Sequence, residues 1–354
     1  MPVRNLLQKK IQKNMIQINK WISNCLESNR RLALPIMTHP GIELCQKTVK
    51  EAVTDGAVQA QAIIKLNEMF PADGITTIMD LTVEVEAFGS QIIFPENEVP
   101  NVTGRLVYDA DSVRKLGIPS LETGRIPEYL SAERLVIQTI QDKPVFGGCI
   151  GPFSLAGRLF DLSEMMMALY TTPETITLLL EKCTTFLKDY CLAIKETGVH
   201  GIIIAEPAAG LISNDDSMRY STFYIQQIID AVQDENFIVI LHNCGNTGYC
   251  TDAMIKSGAR GLHFGNKINI IDVLKEVPED VIVMGNIDPV GIFQQASCKK
   301  MYDTSLDLLN KTSGWNNFIL SSGCDIPPGT PIENIEAFYQ ALADYNLFKP
   351  KKNP

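Results

Sequence analysis

The sequence predicts a (β/α)8 TIM barrel, an α/β fold built as one domain over residues 31–354 behind an amino-terminal helical extension, residues 1–30. Three observations predict it. Eight short apolar runs recur along the chain, each closed by Gly, Asn or Pro at its exit. Amphipathic stretches of helical composition separate them, the alternation that builds a parallel sheet with crossover helices. No G-x-G-x-x-G follows the first run, so an open doubly wound sheet lacks its fingerprint.

In order, residues 1–30 set Leu6, Ile11, Ile16, Ile18, Trp21 and Ile22 among Lys, Gln and Asn, the pattern of an amphipathic helix packed outside the main body. Lys9, Lys10, Lys13 and Lys20 read as its solvated face. Residues 34–37 form the first candidate strand, with Thr38-His39-Pro40-Gly41 as its exit loop, and 46–68 is helical by composition. The second strand, 75–79, ends at Asp80, with Glu84 and Glu86 just beyond. Residues 90–125 are irregular and rich in Pro and Gly around the alternating run 91–94. A loop of that length is functional or carries its own hairpin.

The third strand is 145–149, exiting through a turn-rich 150–156. Thr172, Pro173 and Glu174 then start a helix that runs to Gly198, with a capping residue, a proline at the first position and an acid in the first turn. Strand four, 201–205, exits through Glu206-Pro207, and Asn214 or Asp215 caps the next helix. Strands five to eight are 238–241, 261–264, 281–284 and 318–321.

Composition excludes several classes of function. With 354 residues, 45% of them hydrophobic, the chain suits one large barrel or two smaller domains. Its 9 cysteines are an odd number without paired spacing, and no signal peptide precedes them, which predicts free thiols in a reducing cytoplasm. No apolar run is long enough to span a membrane. A net charge of -10 argues against nucleic acid, which needs a basic face. It also fits poorly with a highly anionic substrate, unless the pocket is locally basic. Asn101-Val102-Thr103 matches a glycosylation sequon that carries no meaning in the cytoplasm.

The chemistry gathers at strand exits. His242 and Cys244 are two apart at the end of an apolar strand, so on an extended chain both point the same way. One such pair is weak evidence. Cys324 repeats the design at the exit of strand eight, and in a barrel both exits open on one mouth. One His and two Cys make a zinc set with a coordination position left open, the mark of a catalytic site. Cys250 reads as a core or surface thiol, and cysteines 25, 45, 149, 183, 191 and 298 as small apolar residues. His263, inside strand six, reads as a satisfied buried histidine. His39 is a candidate for lining the pocket, and Lys267 and Asp288 for contacts to a substrate tail. Met165, Met166 and Met167 read as helix packing or, at the mouth, a docking surface.

Two stretches carry a family resemblance that extends over nearly the whole chain. Ala72-Asp73-Gly74 with Met79-Asp80-Leu81-Thr82 through Gly89, and Ser322-Gly323-Cys324-Asp325 through Thr330-Pro331-Ile332-Glu333-Asn334, resemble the uroporphyrinogen decarboxylase superfamily. In the decarboxylases the second motif looks like G-H-G-I-x-P-x-T-P-x-E-N, and here Cys324 fills the histidine slot. Their arginine-rich first exit is replaced by Met37-Thr38-His39-Pro40-Gly41. These departures point to the branch of methylcobamide:coenzyme M methyltransferases, whose zinc ligands match His242, Cys244 and Cys324. Cobalamin-independent methionine synthase is similar more distantly.

That resemblance implies Zn2+ as cofactor and a corrinoid (methylcobalamin) as methyl donor, carried by a small corrinoid-binding carrier protein. The acceptor is a small thiol such as coenzyme M. Asp80 falls on the superfamily's pocket aspartate, and with Glu206 at the end of strand four it is a catalytic candidate; each also reads as a structural residue. Glu84 and Glu86 read as a metal ligand, an acid/base pair or a solvated loop. Two other functions compete: a metal-free porphyrinogen decarboxylase, disfavoured by the missing arginines and by Cys324, and a noncatalytic corrinoid-handling protein.

Overall fold

The computed structural model describes residues 16–28 and 30–348. Leu6, Ile11, Lys9, Lys10 and Lys13 of the predicted extension lie outside the described residues. Seven parallel strands form one sheet whose spatial order follows the chain. They are β1 (Ile75–Thr76), β4 (Val145–Ile150), β5 (Gly201–Ala205), β6 (Ile238–Asn243), β7 (Gly261–Phe264), β8 (Ile282–Ile287) and β9 (Phe318–Ser322). A separate antiparallel hairpin pairs β2 (Gln91–Ile93) with β3 (Asn101–Thr103), within the irregular 90–125 stretch. Every residue of β4, β5, β6, β7 and β9 is buried. That is why these segments appear in the sequence as unbroken apolar runs, since helices cover one face and a core fills the other.

Predicted strands two to eight each fall on a strand of this sheet. The first, 34–37, does not extend the ladder. The one bridge nearby, parallel from Ala33 to Leu320, falls on the residue just before it. Leu34 N donates to Leu320 O at 3.0 Å on one side, and Asp73 N donates to Ala33 O at 2.9 Å on the other. Pro35 has no N–H to offer, so regular pairing stops there.

Two cores follow from side-chain alternation along the strands. Ile202, Ile204, Val239, Leu241, Leu262 and Phe264 join the large cluster under the helices. Ile203, Ile238, Ile240, Ile282, Met284 and Ile319 join a second cluster with Leu34, Ile36 and Phe146. Ile18, Ile22 and Cys25 belong to this second cluster. The helix Ile18–Glu27 therefore seals the inner core, a correction to the expectation that it packs outside the body. Its Trp21 donates Nε1–H to Asp73 O at 3.2 Å. Burying Ile18 and Ile22 fully stabilises the arrangement by roughly 1.5–3 kcal/mol per side chain.

Smaller departures have local causes. The predicted 46–68 helix is two, Val49–Thr54 and Gly56–Met69, because Asp55 turns out and caps the second through Ala57 N and Val58 N. The helix Pro173–Glu196 stops short of Gly198, whose φ of 97° ends it. Ser213, rather than Asn214 or Asp215, caps the following helix by accepting from Asp216 N. Among the described residues no helix is long and apolar enough to cross a membrane.

Candidate metal centre

His242 continues the parity of Ile238 and Ile240, so it faces the inner side of the sheet one layer above them. Cys244 follows just beyond β6, where Asn243 shapes the exit: its Oδ1 accepts from Gly245 N at 2.8 Å and Asn246 N at 2.9 Å. Cys324 leaves β9 in the same way, after Gly323 N donates to Ile287 O at 2.6 Å. The loop after β7 presses against the loop after β6. A Cβ on Gly265 would lie 2.6 Å from the Cα of Cys244, so only glycine permits this approach. The outcome is that one ligand atom each from His242, Cys244 and Cys324 lies within 4.8 Å of the others.

Those donors fit a zinc ion. Tetrahedral zinc with Zn–S near ~2.3 Å has sulfur–sulfur edges of roughly 3.8 Å, within the observed spread. His242 is 1% exposed, and its Nε2 is buried without a hydrogen-bond partner. An orphaned buried nitrogen costs free energy unless something occupies its lone pair. Its other nitrogen is engaged: Nδ1 stands 2.8 Å from Nδ1 of His263, and His263 Nε2 stands 2.9 Å from Ser321 Oγ. His263 is fully buried, and burial, together with His242, pushes its pKa well below the ordinary value.

The sulfurs behave as a pair. A hydrogen bond from the Cys324 thiol, the largest influence, pulls Cys244 down to about 4. Cys324, bonded to that thiolate and buried, is pushed well above the usual thiol range. A dication bound between them favours loss of the proton from both sulfurs.

The second constellation surrounds Asp80. Its side chain is 5% exposed, and its Oδ2 lies 2.6 Å from Nη1 of Arg125. Oδ1 accepts from the N–H and the hydroxyl of Thr82 at 2.9 and 2.7 Å. Arg125 also donates Nε–H to Glu86 at 2.6 Å and Nη2–H to Thr82 Oγ1 at 2.8 Å, and Phe94 lies 4.7 Å from its guanidinium. Glu84 and Glu86 part company on the short helix Val83–Ala87. Glu84 is 1% exposed, accepts from Ile150 N at 3.0 Å and is pushed up to about 7 by burial. Both lie on a helix rather than in a solvated loop, and they face different partners, Ile150 for Glu84 and Arg125 for Glu86.

Glu206 is buried and sits over the start of the helix Pro152–Phe160, accepting from Phe153 N at 3.1 Å and Ser154 N at 2.6 Å. Burial pushes it up to about 7. Its own N–H donates to His242 O at 2.8 Å, so it borders β6 through backbone. His39 is buried, with Nδ1 3.1 Å from Asp325 Oδ2, beside Cys324. Burial opposes its charge, and Asp325 more than offsets this, for a net rise. Asp288 accepts from Val290 N and Gly291 N, Lys267 is exposed, and Cys250 is buried, outside the three-residue set. Sequence reasoning singled out neither Arg125 nor the partnerships of His263 and Asp325. Their signals are tertiary, apart from Asp325 following Cys324.

A parallel α/β sheet with an imidazole and two thiols at the carboxyl ends of its strands defines a protein whose residues could hold a metal ion there. The chain belongs to the uroporphyrinogen decarboxylase family: the Uroporphyrinogen decarboxylase (URO-D) family model matches residues 32–345. Within it, the chain is 29% identical over 277 residues to methylcobamide:CoM methyltransferase MtbA of Methanosarcina acetivorans, covering 77% of this chain and 80% of that one. It is 27% identical over 307 residues to MtaA of Methanosarcina barkeri, covering 83% and 86%. Uroporphyrinogen decarboxylase of Salmonella typhimurium is 25% identical over 286 residues, covering 77% and 79%. In fold, a methyltransferase structure from Methanosarcina mazei superimposes with a TM-score of 0.84 at 22% identity, over 93% of this chain and 99% of that one. A B12-independent methionine synthase from Shewanella gives 0.57 at 14%, over 81% and 86%.

Proposed function

We propose that the chain is a zinc-dependent methyltransferase that moves a methyl group between a corrinoid and a small thiol. The observation that carries this reading is the convergence of His242, Cys244 and Cys324, with Nε2 of His242 left without a protein partner. The likeness to MtbA and MtaA supports it. Bound zinc supplies a Lewis acid that holds a thiol deprotonated at neutral pH. The chain's own contribution is charge: two cysteinates and a neutral imidazole balance a dication. An incoming thiolate then keeps its electron density. A bound corrinoid would supply the methyl group and keep the electron pair of its bond to carbon, while the thiolate sulfur would form the new bond to that carbon.

Asp80 and Glu206 act in this reading by position: Asp80 holds Arg125 and the 82–86 turn, and Glu206 sets the helix Pro152–Phe160 beside β6. The sheet closes as an eight-membered barrel of one domain, with residues 32–37 as the eighth member between β1 and β9; the hydrogen bonds of Ala33 and Leu34 to both edges support this. A corrinoid-binding carrier protein docks at the carboxyl-end face in the cytoplasm. Exposed Ile93, Val99, Leu211, Tyr249 and Val290, all beyond strand exits, give it an apolar rim.

Metal analysis with a screen of thiols against methylcobalamin tests the function. Zinc at about one per chain, with turnover for a thiol, is expected. A zinc-free protein that decarboxylates a porphyrinogen would establish the decarboxylase reading. Zinc without turnover for any thiol would establish the noncatalytic one.

A further inference from the structure

We infer that His263 is a positioning residue that fixes His242 as the Nδ1–H tautomer and so reserves Nε2 as a lone-pair donor. This rests on the metal reading above. His242 and His263 are register partners on neighbouring parallel strands, and Ser321 of β9 is fully buried against His263. Three contacts link them: 2.8 Å between the two Nδ1 atoms, 2.9 Å from His263 Nε2 to Ser321 Oγ, and 2.7 Å from Ser321 Oγ to Leu34 O.

Their proton directions follow from the far end. A carbonyl only accepts, so the Ser321 hydroxyl donates to Leu34 O. Ser321 has one proton, so its oxygen accepts from His263, which therefore carries its proton on Nε2. With no carboxylate bonded to it, buried His263 is neutral and offers a lone pair at Nδ1. That lone pair accepts from His242 Nδ1–H. Nε2 of His242 is left unprotonated, buried and without a protein partner. The commoner outer partners of a metal-bound histidine are a carboxylate, a backbone carbonyl or water. Here a second histidine does the work and adds no charge, so the ligand set keeps its balance with a dication.

Three variants test the relay. His263→Gln preserves its polarity, because an amide accepts toward His242 and donates toward Ser321. His263→Leu and Ser321→Ala break it at successive links. Zinc affinity, read by competition with a chromophoric chelator, should fall about 10–100-fold in His263→Leu and return most of the way in His263→Gln. Nitrogen-15 NMR of metal-free protein should show His242 protonated at Nδ1 in wild type and mixed in Ser321→Ala. Equal zinc affinity across wild type and variants, or a wild-type His242 protonated at Nε2, would overturn the inference. If His263→Leu does not fold, Ser321→Ala decides by both readouts. A wild type that binds no zinc would instead overturn the functional reading, and the tautomer measurement would still judge the relay.

Discussion

Asp325 Oδ2 lies 3.1 Å from His39 Nδ1, and the Thr38 hydroxyl donates to the same carboxylate at 3.0 Å. The first exit loop is thereby tied to the residue that follows Cys324, so the loop bearing that sulfur is held by the exit loop beside it. Asp325→Ala should therefore lower zinc affinity by about tenfold or more through a misplaced Cys324. His39→Ala should do so less, because Thr38 still holds Asp325. Chelator competition on both variants checks the order; equal losses would mean that the tie runs through His39 alone.

Arg125 has two carboxylate partners, Asp80 and Glu86, all largely buried. Removing one partner of a buried pair costs about 3 kcal/mol or more. Asp80→Asn should destabilise the fold by an amount of that order, measured by urea unfolding, while zinc content stays unchanged. A variant with full stability and lost turnover would move Asp80 from the scaffold into the chemistry.

Much of the site was legible because strand geometry is local. A spacing of two put His242 and Cys244 on one side, and Cys324 repeated the pattern after an apolar run. The partners were not legible. His263 pairs with His242 only through the β6–β7 register, and Arg125 meets Asp80 from 45 residues away. Pro35 hid the difference between a strand and a segment with a single bridge beside it, since 34–37 is apolar either way. The helix at Ile18 was recognisable as amphipathic, yet nothing in its own sequence says which core its apolar face meets.

Glu133 gives a pH prediction away from the metal. It is fully buried, receives one hydrogen bond from Thr197 at 3.2 Å and is pushed up to about 8 by burial. Its folded pKa exceeds the unfolded value of about 4.3, so the folded state binds the extra proton between these values and stability is lost as pH rises. Glu133→Gln should match wild type in Tm near pH 4 and become the more stable of the two by pH 8. Parallel Tm profiles would show that Glu133 ionises normally in the fold.

The hairpin β2–β3 exposes Ile93 and Val99 at 55% and 49%. If a carrier docks there, Ile93→Ser with Val99→Ser should raise KM for a methylated carrier protein roughly tenfold, about 1.4 kcal/mol, a loss of the size expected at a buried interface. Transfer from free methylcobalamin should be unchanged. Equal losses with both donors would remove the hairpin from the docking surface.

The central claim is that Cys244 and Cys324 with His242 hold a zinc ion that takes a substrate sulfur. X-ray absorption at the zinc edge, with proton release recorded on mixing, tests it most directly. The zinc protein alone should show two sulfurs and at least one nitrogen, and saturation with a thiol that turns over should add a third sulfur and release a proton at neutral pH. A shell that still holds two sulfurs with an active thiol bound would contradict the account.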